Sequence, residues 1–210
     1  MKKILVFAAA AAFALCACEK TGPQADGSNQ GGENNNQQQT AAGVVYNELD
    51  GHAKFIELYN TTDKEVSLEG VYVVKYDAAK DEGKSTTWTG AAGMKIAAKG
   101  YVVLESFDLC DEDEDGVRDN DYKYESDNHV FKGGLSPKKN VKFELCDAAG
   151  NVLDTFVRGE EGSAGWNESK ISENKDCSYS RVPDGTGEWA YAAPTKGKAN
   201  GAKVEDMPAN

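Results

Sequence analysis

From Val44 onward the chain runs in short segments rich in Val, Ile, Tyr and Phe, interrupted every few residues by Gly, Asn or Asp, and no stretch carries the apolar repeat of a long amphipathic helix. Side chains on a strand alternate between two faces, so segments this short bury an apolar face by stacking sheet on sheet. Candidate strands are residues 44–49, 54–60, 66–75, 101–105, 140–146, 152–157 and 177–182. Val141, Phe143 and Leu145 alternate with Lys142, Glu144 and Cys146, and the loop 147–151 with Gly150 predicts a hairpin to the next run. About seven strands joined by turns predict an all-β sandwich.

Particular residues then point to a family. Phe55-Ile56-Glu57-Leu58-Tyr59-Asn60, Val66-Ser67-Leu68-Glu69-Gly70-Val71-Tyr72-Val73 and Ile96-Ala97-Ala98-Lys99-Gly100-Tyr101-Val102-Val103-Leu104 occur in the order seen in the lamin tail domain. Gly134-Leu135-Ser136, the hairpin with Asp147, Gly150 and Asp154, then Tyr179-Ser180-Arg181, Trp189 and the closing Pro194-Thr195-Lys196-Gly197-Lys198-Ala199-Asn200 continue it. The chain resembles that family over residues 44–200, with longer segments at 77–93 and 107–129. The resemblance implies an immunoglobulin-like β-sandwich serving as a non-catalytic module of exported bacterial proteins. Glu57, in an apolar strand, is expected to be a buried carboxylate satisfied by backbone or by Asn60, and glycines 70, 134, 150 and 197 to serve turns or close approaches.

The N-terminus carries a different signal. Lys2 and Lys3 precede an uninterrupted apolar run from Ile4 to Leu15, and polar Glu19-Lys20-Thr21 follows soon after. A membrane-spanning helix needs about 20 apolar residues, so this run reads as a processed signal peptide. Leu15-Cys16-Ala17-Cys18 resembles the bacterial lipobox, which makes Cys18 the lipidated first residue of the mature chain. Residues 19–42 hold Gly, Asn, Gln and Ser without aromatic or branched apolar residues. They are expected to form a disordered tether with a reach of roughly 25–30 Å. The expected organisation is signal peptide 1–17, lipidated cysteine and linker 18–42, sandwich 43–200 and C-terminal tail 201–210. Because Glu19, rather than Asp, follows the cysteine, placement in the outer membrane of a Gram-negative bacterium is expected, facing the periplasm or the cell surface.

The chain has 23 basic and 35 acidic residues, and loss of Lys2 and Lys3 with the signal takes the formal charge from −12 to −14. Such a balance repels phosphate backbones and excludes nucleic acid as an expected partner. In an oxidising compartment Cys110, Cys146 and Cys177 allow one internal disulfide; Cys146 with Cys177 is the candidate pair, against the alternative that all three stay reduced.

Chemistry concentrates in Cys110-Asp111-Glu112-Asp113-Glu114-Asp115-Gly116-Val117-Arg118-Asp119. Asp111, Asp113, Asp115, the Val117 carbonyl and Asp119 fall at the spacing of a calcium loop, with Gly116 at the sharp turn. Tyr122 stands where an EF-hand has its bidentate glutamate, with Asp121 beside it, and no helical pattern flanks the loop. A Ca²⁺ site and a solvated acidic surface loop are the two readings. Only His52 and His129 are present, and no HExxH, GxSxG or CxxC motif occurs. Tyr72, Tyr76, Trp88, Tyr122, Tyr124, Trp166, Tyr179, Trp189 and Tyr191 are candidates for a sugar-stacking platform, with Trp166 the best placed to be exposed, although core packing is the commoner use of such rings. The function expected is that of a membrane-anchored, non-enzymatic binding or adhesion module for a protein or glycan, with calcium as the one candidate cofactor. The alternatives are a structural envelope docking protein, and a metal-dependent hydrolase using Asp111, Asp113 and Asp115 with His129.

Overall fold

In the larger of two facing sheets the strands follow the order β13-β12-β11-β1-β2-β7-β8, and in the smaller β10-β9-β4-β5; β3 and β6 make a separate pair. The computed structural model describes residues 41–76, 83–109, 127–137, 139–159 and 176–206, which fall in one compact unit. The strands are β1 Val44–Asp50, β2 Phe55–Asn60, β3 Val66–Ser67, β4 Tyr72–Tyr76, β5 Ser85–Thr89, β6 Lys95–Ile96, β7 Tyr101–Ser106, β8 Val130–Phe131, β9 Val141–Cys146, β10 Val152–Arg158, β11 Ser178–Val182, β12 Glu188–Ala192 and β13 Lys203–Asp206. The two helical elements among the described residues are short 3-10 turns, Phe107–Leu109 and Asp127–His129. This is the expected all-β, immunoglobulin-like sandwich.

Alternation along the strands builds the core. Tyr46 and Leu49 of β1, Ile56 and Leu58 of β2, Leu104 of β7, and Tyr179 and Tyr191 of β11 and β12 meet Val73, Trp88, Phe143, Leu145 and Phe156 of the smaller sheet, all nearly or fully buried. Phe156 packs edge-on against both Tyr179 and Trp189. A register shift between Tyr46 and Glu48 resets β1, so Tyr46 and Leu49 both face inward while Asn47 and Glu48 share the outer side. A second shift, between Val152 and Asp154, lets Asp154 reach the Tyr46 amide at 2.9 Å and Arg181 at 3.1 and 3.2 Å, linking the two sheets.

Residues 66–75 form two strands instead of the one expected. Val71 N–H donates to the Leu68 carbonyl at 3.0 Å, and the turn moves the chain from the β3–β6 pair into the smaller sheet. Residues 203–206, expected within the C-terminal tail, pair with β12 and extend the larger sheet. The expected Cys146–Cys177 bond is absent: Cys146 lies in the outer cluster with Val74 and Tyr76, whereas Cys177 belongs to the core between the sheets. Successive strand positions alternate faces, and these two thiols occupy opposite sides of a packed layer.

Candidate functional site

The buried carboxylates of the larger sheet come first, because they are the obvious candidates for chemistry. Asn47, Glu48 and Glu57 are fully buried on its outer face, beneath a strap formed by residues 193–200. Glu48 accepts from Ser178 Oγ at 2.6 Å, from Thr195 Oγ1 at 2.9 Å and from the Thr195 amide at 3.1 and 3.2 Å. Glu57 accepts from Asn47 Nδ2 at 2.9 Å and from the Gly197 amide at 2.6 Å. Its partners are therefore Asn47 and the strap backbone, while Asn60 binds the Lys64 and Ala97 carbonyls instead. Asp184 accepts from the Asn200 amide, Asn47 and Tyr101, and Asn200 in turn donates to the Asn47 and Arg181 carbonyls. Burial raises the Glu57 carboxyl to about 7 against the pull of its two donors, and raises Glu48 as well. Gly197 has φ 78°, the left-handed region that lets the strap present its amide inward. The closing Pro-Thr-Lys-Gly motif is thus a lid fastened by acids, and it leaves those acids no open face.

A cavity of about 620 Å³ lies elsewhere, lined by Lys54, Lys75, Lys139 and Arg158 with Asp108 and by the apolar Leu135, Pro137 and Val141. Its wall is formed by residues 134–137 and 139–141, which are held at many points. Lys75 Nζ donates to the Gly134 carbonyl at 2.5 Å and Ser106 Oγ to the Gly133 carbonyl at 3.0 Å. Arg158, only 1 % exposed, donates to the Ser136 carbonyl at 2.8 Å and the Lys139 carbonyl at 2.9 Å, with its guanidinium carbon 5.6 Å from the Tyr179 ring centre. Burial draws that guanidinium below its ordinary range. A Cβ at Gly134 would lie 2.1 Å from Asp108 Oδ2, so a side chain there would push the Asp108 carboxylate aside. Asp108 pairs with Lys54 at 3.3 Å, and Lys54 itself has φ 54° at the end of the β1–β2 turn.

Several residues singled out from the sequence fall elsewhere. Cys18, Asp111, Asp113, Asp115, Val117, Asp119, Asp121, Tyr122, Tyr124 and Trp166 lie outside the described residues. Among the described residues no group of three or more His, Cys, Asp or Glu side chains is placed to hold a metal ion. Trp88, Tyr179 and Tyr191 are core residues and Trp189 packs against them beneath Arg181, so these rings serve packing. The basic cavity was missed from the sequence. Its one sequence signal is Arg158, which alternation places on the same inward face as Phe156; the lysines come from separate segments.

No curated protein matches the chain. The family model described as Lamin Tail Domain matches residues 37–160, more than half of the sequence, and the chain belongs to that family.

Proposed function

We propose that this protein is an exported lipoprotein whose lamin tail domain acts as a non-catalytic binding module, carried on a tether from a lipidated Cys18 in the outer membrane. The observation that carries the binding reading is the division of charged groups described above. The buried acids are taken up by hydrogen bonds of the framework, and the polar side chains that face an open cavity are mainly basic. The anchoring reading is supported by the apolar run from Ile4 to Leu15 and by Leu15-Cys16-Ala17-Cys18. Acyl chains contribute about 0.8 kcal/mol per buried methylene, enough with several chains to hold a protein on a bilayer. The spacing of Asp111, Asp113, Asp115, Val117 and Asp119 supports a calcium loop that orders the module.

The anchor is tested by expressing the full chain with labelled palmitate in a Gram-negative host. Label and membrane retention are expected for the native chain, with both lost in Cys18→Ser; a native chain that stays unlabelled sinks the lipoprotein reading. Calorimetric titration of Ca²⁺ checks the loop: a saturable heat lost in Asp113→Ala and Asp115→Ala is expected, and no heat in the native chain removes calcium from the account.

A further inference from the structure

We propose that the basic cavity binds an acidic sugar, with Lys54 and Lys139 taking its carboxylate and Asp108 and the wall residues 134–137 and 139–141 taking its hydroxyls. This deepens the binding-module reading and rests on it. Four cations face one carboxylate around this cavity, in a chain of net charge −12. A small anion is drawn to such a spot, while an extended polyanion meets the acidic surroundings.

The division of labour among the polar groups narrows the ligand. Arg158 spends guanidinium donors on the Ser136 and Lys139 carbonyls, so it sets the wall and the positive potential. Lys75 likewise spends its ammonium on the Gly134 carbonyl, so direct contact with an anion falls to Lys54 and Lys139, point charges without the planar fork that selects phosphate or carboxylate by shape. Asp108 beside Lys54 would repel a multiply charged phosphate but accepts a hydroxyl readily. Leu135, Pro137 and Val141 offer apolar surface to the C–H face of a ring. A volume of about 620 Å³ is far larger than a bare ion needs and lies in the range that holds a small organic ligand. The wall is also fixed in advance by Lys75, Ser106, Arg158 and the close approach of Asp108 to Gly134, which lowers the ordering cost of binding.

The test is calorimetric titration of the full chain with glucuronate, glucose and inorganic phosphate, repeated with Lys139→Gln and with Lys54→Gly. The glycine variant suits the left-handed backbone at position 54, so its melting temperature is expected to hold or rise while binding falls. A saturable glucuronate heat, no glucose heat, phosphate at least tenfold weaker, and a tenfold or greater loss in each variant are expected. No saturable glucuronate heat, undiminished binding in both variants, or phosphate binding as tight as glucuronate would overturn the proposal. The palmitate assay reads Cys18 and this titration reads the cavity, so failure of the anchor and failure of the ligand are separately visible.

Discussion

The strap-covered face of the larger sheet buries Glu48 and Glu57, and the wall of the basic cavity buries Arg158, yet the two regions resolve the cost in opposite ways. Under the strap, Glu48 and Glu57 are satisfied by Ser178, Asn47 and the strap's own amides, and nothing is left open. Around the cavity, Arg158 and Lys75 satisfy carbonyls of a single wall, and that wall borders a cavity of about 620 Å³. Buried charge in this domain therefore marks a fastening in one place and a preorganised opening in the other. Inspection of charge and burial alone would have chosen Glu57 as the functional residue.

The largest effect that sharpens this contrast is expected from Arg158→Met. It leaves the Ser136 and Lys139 carbonyls without their donor, at roughly 1–3 kcal/mol for each orphaned group, so urea denaturation should show a loss of about 3 kcal/mol. A loss under 1 kcal/mol would mean that the wall stands without Arg158. Next is the pH dependence of the fastening. Glu57 has its carboxyl raised from 4.5 to about 7, so its protonated form suits the fold. Its contribution is fully present below about pH 4.5 and is lost as pH rises to about 7. Glu57→Gln should flatten the stability profile in that window by about 2–3 kcal/mol; an unchanged slope would locate the titration elsewhere. The smallest is Gly197→Ala, which strains a left-handed backbone position and should cost about 1 kcal/mol in thermal or urea unfolding while leaving glucuronate binding untouched. Loss of binding in that variant would join two regions that the contrast treats as separate.

Legibility from the sequence followed the balance of apolar and polar residues. β1, β2, β7, β9, β10 and β11 were readable because Val, Ile, Phe and Tyr alternate with polar residues along them. β5 escaped because Ser85-Thr86-Thr87-Trp88-Thr89 is mostly hydroxylated, although Thr87 and Trp88 are buried. β12 escaped because Ala190 and Ala192 look neutral, although Trp189 and Tyr191 alternate with them toward the core. β8 is two residues long and pairs parallel to β7, and β13 contributes only Val204 as an apolar residue, 66 % exposed. Pairing with a neighbour, which no local pattern encodes, decides such strands.

By itself the sequence determined the class of fold, the family, and Glu57 as a buried carboxylate, because strand alternation and short-range turn chemistry act between neighbours along the chain. Asp147, for example, is held below the usual carboxylate range mainly by the Asn151 side chain, with backbone amides of the same turn assisting. Only the tertiary structure decided that Glu57 is sealed by an amide 140 residues away, that Cys146 and Cys177 sit on opposite sides of a packed sheet, and that Lys54, Lys75, Lys139 and Arg158 converge on one cavity. Those groups are brought together by the register of strands distant in sequence, and register is set by which faces must be buried across the whole sandwich.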